Sequence, residues 1–251
     1  MVTQAPGLQR RHMLRVKGLD ENVVIRLSPL DRERDREAER RAERIWLEEL
    51  GSGNDSVFND LILSCTGVAG SRIHCTRVEY KYFFAQTKHP ELFDKLRIRP
   101  VAVSGLLRCA DGIVVGKRSQ ETSQDAGRWE LVPSGGIDAS AVTLDSIVDH
   151  RTQLLTEFEE ETGLGVEPVE SVEPLCLVYD DESKVLDIGS VIRTSVGFDT
   201  ILNAYHALEY REYEEIRVID EDAVEDFFDR DDIEFVNVSK IMLQFYLGNH
   251  L

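Results

Sequence analysis

Glu157, Glu160 and Glu161 stand at i, i+3 and i+4, the spacing that sets three carboxylates side by side on one helical face. Glu159, between them, points elsewhere. Gly163 follows at once, and glycine tolerates the left-handed backbone in which helices end, so the acids fall in a last helical turn. There they face the negative end of the helix dipole, at about 0.3–1 kcal/mol each when exposed, and repel one another. A hard cation offsets both effects. Mg2+, or Mn2+ in its place, prefers oxygen ligands and is commonly held by a few carboxylates together with water and substrate phosphates. The chemistry suggested is therefore metal-assisted attack at a phosphate. Taken alone, the same acids also fit a solvated face of an acidic protein, so the surrounding elements decide.

The helix that carries them is expected over residues 143–162, because Ile147, Arg151, Leu154, Leu155 and Phe158 recur at steps of three and four. A strand over 128–133 leads to the turn Ser134-Gly135-Gly136 just before it. Upstream, residues 101–108 and 113–118 flank Ala110-Asp111-Gly112 and read as a hairpin. Downstream, strands are expected over 174–179, 185–196 and 216–219, and helices over 221–228 and 238–247. The order is mixed α/β (α+β), without internal repeats.

The first hundred residues have a different make-up. A strand over 22–27 ends at Ser28-Pro29, and a helix is expected over 31–50 with Ser28 or Asp31 as its cap. Its interleaved acids and bases read as a solvated, ion-paired face, with Ala38, Ala42, Ile45 and Trp46 as a thin apolar stripe. After a break at 51–55, strands over 61–65 and 72–78 form a second hairpin. The cluster Tyr80-Lys81-Tyr82-Phe83-Phe84 follows. Its rings suit either packing between domains or stacking on a substrate base, for which Tyr80 and Phe83 are the candidates. Arg99-Pro100 marks a boundary, giving a smaller N-terminal α+β domain over 1–98 and a second domain over 99–251.

Of the net charge of −18, residues 1–100 contribute 18 Lys+Arg against 15 Asp+Glu, leaving 11 against 32 beyond. A surface that negative repels phosphate backbones, so nucleic acid is not expected as a partner. No apolar run approaches the roughly 20 residues of a membrane-spanning helix. The N-terminus lacks the continuous apolar core of a signal peptide, and a cytosolic location is expected. Cys65, Cys75, Cys109 and Cys176 are scattered, with no C-x-x-C pair, and read as reduced, buried thiols without a part in the chemistry.

The segment ending at Leu164 resembles the Nudix box, G-x5-E-x7-R-E-U-x-E-E-x-G-U with U a bulky apolar residue. Glu157, Phe158, Glu160, Glu161, Gly163 and Leu164 occupy the E, U, E, E, G and U of its second half, and residues 129–136 resemble its approach strand and double-glycine turn. Two departures stand out. Thr156 replaces the Arg of the pattern, and Gly136 precedes Thr156 by twenty positions instead of fourteen, an insertion of six. The first Glu of the pattern has no clear counterpart, since Val148 holds its ungapped position. Arg151 is the substitute available for the missing Arg. Over the whole chain the resemblance is to the branch typified by UDP-sugar diphosphatases with insertion-bearing boxes. It is carried in the N-terminal part by Arg26-Leu27-Ser28-Pro29, Asp31-Arg32, Ile45-Trp46 and residues 80–84.

That resemblance implies a Nudix fold, a mixed sheet sandwiched between helices. It also implies hydrolysis of the diphosphate linkage of a nucleoside diphosphate derivative, a UDP-sugar such as UDP-glucose, to nucleoside monophosphate and sugar phosphate. Glu157, Glu160 and Glu161 would be the metal ligands, with Glu157 and Glu161 foremost in catalysis. The general base would come from the box helix or a later loop, where Glu212, Glu214 and Glu215 precede the 216–219 strand, with Glu212 the choice. Gly135 and Gly136 can bring backbone amides close to a phosphate. Arg128, with Lys117 or Arg118, supplies the scarce cations for substrate oxygens. The missing Arg and the insertion also admit a catalytically weakened module that binds a nucleotide as a sensor or interaction domain.

Overall fold

The computed structural model of the chain describes residues 14–28, 35–52, 58–120, 122, 125–228, 230 and 232–249. In chain order its elements are β1 (Leu14–Gly18), β2 (Val24–Leu27), α1 (Arg36–Gly51), β3 (Leu61–Ala69), β4 (Arg72–Glu79), α2 (Tyr80–Lys88), α3 (Phe93–Leu96), β5 (Val101–Cys109), β6 (Gly112–Arg118), β7 (Trp129–Leu131) and β8 (Ser134–Gly136). They continue with β9 (Ile147–Val148), α4 (His150–Thr162), β10 (Val169–Asp180), β11 (Leu186–Thr194), α5 (Phe198–Ala207), β12 (Tyr213–Ile219), α6 (Val224–Phe228) and α7 (Asn237–Asn249).

The strands form two sheets. The larger runs β1-β10-β11-β5-β6-β12, with β7 paired to β6 and β8 to β5, and the smaller runs β3-β4-β2-β9. Within the larger sheet β11 and β5 are parallel and the remaining pairs antiparallel, so the sheet is mixed.

Alternation along the strands divides the core. Val101, Val103, Leu107 and Val114 meet Leu154 and Phe158 of α4, Ile201 and Tyr205 of α5, and Ile25, Leu63 and Ile73 of the small sheet. Leu106, Ile113, Val115 and Leu131 turn to the other side, where Met242, Leu243 and Tyr246 of α7 cover them. The large sheet is thus sandwiched between helices, and the fold is mixed α+β. A third cluster joins Ala38 and Ala42 of α1 to Phe83 of α2 and Leu96 of α3.

Each sheet takes one strand from the other side of position 99. β1 pairs with β10, Leu14 opposite Asp180, and β9 pairs with β2, Val148 opposite Ile25. β9 sits in the insertion between Gly136 and the carboxylate helix, so those extra residues tie the helix to the N-terminal sheet.

Two local expectations are corrected and one element is added. The carboxylate helix does not begin at 143. Residues 147–148 are the strand β9, Thr143 N donates to Ile147 O at 2.7 Å in a turn, and α4 starts at His150. Asp149 caps it, its Oδ1 accepting from Thr152 N at 3.0 Å. Ile147 and Val148 are β-branched and find strand partners, which outweighs a helical spacing. The first helix is capped by Asp35, whose Oδ1 accepts from Glu37 N and Ala38 N at 3.0 Å, not by Ser28; Asp31 lies outside the described residues. α5 was not anticipated from the sequence.

All four cysteines are buried and free. Among the described residues no helix is long and apolar enough to cross a membrane.

Candidate active site

Leu154 and Phe158 are buried in the core beneath the sheet, and this anchoring turns Glu157 and Glu161, one helical turn apart, toward β8. A Cβ placed on Gly135 would lie 2.2 Å from the Glu157 carboxyl carbon and 2.3 and 2.5 Å from its oxygens. Only a residue without a side chain leaves that carboxylate its seat. One residue earlier, Ser134 N donates to Glu161 Oε1 at 3.0 Å. Gln153 Nε2 donates to Glu157 Oε1 at 2.8 Å, and the Tyr213 hydroxyl donates to Glu161 Oε2. Glu160 is exposed at the rim. Gly136 faces open space.

The sheet contributes the remaining charges through its register. Gly116 of β6 stands opposite Glu130 of β7 and Ile216 of β12, and Arg118, two residues on, shares their face. Arg118 pairs with Glu130 and, at 2.9 Å, with Glu212. The Tyr213 ring fills the space over Gly116, where a Cβ would come within 2.5 Å. The Tyr205 hydroxyl donates to the carbonyl of Tyr213. Glu130 and Glu212 thus meet the Arg118 guanidinium, Glu161 meets the Tyr213 phenol, and Glu157 lies near enough to Glu212 to feel its charge.

Crowding and burial perturb these groups. Burial pushes the Glu157 carboxyl up to about 7, with Glu160, Glu212 and Asp138 adding to the rise and the Gln153 hydrogen bond opposing it. Glu161 is raised well above the usual carboxylate range, first by burial and then by Glu212 and Glu130, against the donors Tyr213 and Ser134. Burial also raises Glu130, while Arg118 pulls it back. Burial next to Glu161 and Glu130 lifts the Tyr213 phenol well above its usual range. Burial and like charge disfavour the ionised carboxylates here, and a nearby cation would favour them.

The donor set is entirely carboxylate oxygen, which suits hard cations such as Mg2+ or Mn2+. Glu157 and Glu161, with Glu160 at the rim, are the residues that would hold it. Among the described residues no three His, Cys, Asp or Glu side chains already form a ligand set, and Glu161 is engaged by Tyr213 and Ser134. Tyr213→Phe removes one donor from the buried Glu161 carboxylate. It is expected to cost about 1–3 kcal/mol of stability in urea denaturation.

The sequence-predicted residues divide clearly. Glu157, Glu161, Glu212 and Gly135 come together, with Glu160 and Gly136 at the edge. Lys117 lies on the other face of β6 and pairs with Glu214 at 3.5 Å. Arg128 pairs with Asp125 at 2.7 Å and Glu234 at 3.6 Å. The cation directed into the cluster is Arg118. Glu215 is taken by Arg217. Tyr80 and Phe83 lie in the packing between α1 and α2, with Tyr80 against Phe83 at 6.2 Å and against Trp46 at 6.3 Å between ring centres. Thr156 turns outward and donates to Thr152 O at 3.2 Å. Arg151 is exposed, and it is Gln153 that steadies Glu157.

Glu130, Gln153 and Tyr213 escaped sequence reasoning. Glu130 had a signal, an acid between Trp129 and Leu131 in a strand otherwise wholly apolar. Tyr213 had none, since its place depends on a strand far along the chain.

No protein-family model matches the chain, and no curated protein matches it. Among solved structures, the chain is similar to the Nudix hydrolase RenU from M. smegmatis, with 18% identity, 61% of this chain and 86% of that one covered, and a TM-score of 0.43. It is similar to the NUDIX domain of Shewanella oneidensis NrtR, a complex with ADP ribose, with 13% identity, 61% and 89% covered, and a TM-score of 0.45. A third similar structure is a bifunctional NMN adenylyltransferase/ADP ribose pyrophosphatase from Francisella tularensis, complexed with AMP and a Mn ion. Identity there is 13%, coverage 68% and 47%, and the TM-score 0.44.

Proposed function

We propose that the chain is a Nudix-type, metal-dependent hydrolase that cleaves the diphosphate linkage of a nucleoside diphosphate derivative. The observation that carries this reading is the seating of Glu157 on Gly135 beside the Ser134 contact to Glu161. A turn that can approach a phosphate is thereby fixed against the carboxylates that can hold a cation.

Glu157, Glu160 and Glu161 would bind Mg2+ or Mn2+. A divalent cation in that position supplies Lewis acidity at the phosphoryl oxygens. The chain's own residues do the rest. Gly135 and Gly136 leave backbone exposed for substrate oxygens. Ser134 N and the Tyr213 hydroxyl hold Glu161 in one orientation. Arg118 keeps Glu130 and Glu212 from driving each other apart. Glu212, immediately before β12, accepts the proton of the attacking water as general base.

We assign the reaction to residues 99–251. The N-terminal portion, 1–98, supplies most of the small sheet that steadies the insertion before α4. The substrate class assigned is a UDP-sugar such as UDP-glucose, supported by the N-terminal residues that resemble the UDP-sugar diphosphatase branch.

The test incubates the protein with Mg2+ and a panel of nucleoside diphosphate sugars and dinucleotides, with Glu161→Gln beside it, scoring release of nucleoside monophosphate. UDP-glucose is expected to be cleaved and the variant to be inactive. Unchanged turnover in Glu161→Gln would remove the site assignment. Nucleotide binding without turnover across the panel would make the chain a sensor module.

A further inference from the structure

Away from the acidic cluster, a cavity of about 320 Å3 opens where β1 and β10 of the large sheet meet β3 of the small one. Register determines what faces it. Arg15 stands opposite Tyr179, Lys17 opposite Leu177, and Tyr179 opposite Leu186. Directly paired residues, and residues two apart, share a sheet face, so these five side chains project to one side. Cys65 and Val68 of β3 and Arg99 border the cavity across from them.

The charge in this cavity runs against that of the molecule. In a chain of net charge −18, three cations surround one apolar hollow, and among the described residues only Arg15 has a carboxylate partner, Asp181 at 2.9 Å. Lys17 donates to the neutral Gly70 carbonyl at 2.8 Å, and the Arg99 guanidinium sits over the Phe93 ring at 5.2 Å. Asp20, the acid that feels Lys17, already accepts from the Ser71 hydroxyl at 2.6 Å and from Asn22 N at 2.8 Å. Of the apolar lining, Leu177, Leu186 and Cys65 are buried, while Val16 and Val68 are exposed at the mouth. The volume lies in the range of small-molecule sites, which favour such junctions and combine an apolar floor with few polar anchors.

We propose that this cavity binds a small organic phosphate with a flat apolar body, of the nucleoside monophosphate class, at a site separate from the acidic cluster. Lys17, Arg99 and Arg15 meet the phosphate, and Leu177, Tyr179 and Leu186 receive the body. The acidic cluster repels the same anion unless a cation is present, so chelation separates the two sites.

Calorimetric titration of the full chain with uridine monophosphate, in EDTA at low salt, tests the assignment. Binding at one site per chain is expected, unaltered in Glu157→Gln and weakened as salt screens the cations. Lys17→Glu and Arg99→Gln, each checked for an unchanged melting temperature, are expected to raise Kd by about tenfold or more. No binding in EDTA, or an affinity indifferent to both substitutions, would overturn the proposal. So would inorganic phosphate binding as tightly as the nucleotide, because it touches no apolar wall.

Discussion

Glu157→Gln is expected to lower kcat for metal-supported hydrolysis by about 100- to 1,000-fold, the range seen when one group that stabilises transition-state charge is lost. The same change should make the metal-free protein more stable at pH 8. In the fold this carboxyl is held at about 7 against an ordinary 4.5, so between those values the native state holds more protons than the unfolded chain. Unfolding free energy therefore falls as pH rises through that window. Near pH 4.5 and below there is little penalty, and above pH 7 it is complete. A shift of this size corresponds to about 3 kcal/mol. The side chain is partly exposed, and screening brings the expectation to about 1–2 kcal/mol.

Glutamine cannot ionise, so the variant lacks the decline. Urea denaturation in EDTA should give nearly equal stabilities near pH 4.5 and a more stable variant at pH 8. Added Mg2+ should reverse that order, because it binds the native wild-type carboxylates and stabilises by mass action. Parallel stability curves for the two proteins would show that Glu157 is not buried among like charges as described.

Gly135→Ala is expected to separate activity from folding. The new Cβ meets the Glu157 carboxylate at 2.2–2.5 Å, and the end of a flexible side chain can swing away without moving backbone. A carboxylate displaced by an ångström or so costs about 100-fold in rate, while stability changes by no more than about 1 kcal/mol. At Gly136 a Cβ meets nothing within 4 Å, so Gly136→Ala is the control for a general effect of adding a methyl to the turn. Steady-state kinetics and urea midpoints for the two variants decide the matter. Equal losses of activity would indicate that the turn acts through its backbone alone and not as the seat of Glu157.

What the sequence determined by itself was local. Helix geometry carries Glu157, Glu160 and Glu161 to one face whatever surrounds them, and the Asp111-Gly112 and Gly70 turns mark their hairpins. The double glycine before the carboxylate helix was legible for the same reason, since only glycine allows so close an approach. Tertiary structure decided which residues meet across strands. Lys117 and Arg118 were indistinguishable as neighbouring cations. The pairing of Gly116 with Glu130 puts Arg118, and not Lys117, on the face of the acids, because a strand alternates its side chains with a period of two.

The start of α4 was misplaced for a related reason. Ile147 fits a helical spacing, yet β2 offers it and Val148 strand partners that lie more than a hundred residues away. Tyr213 likewise reaches Glu161 only once β12 has paired with β6. Contacts between distant segments are set by register and burial, so the chain announces its carboxylates while the fold chooses their partners.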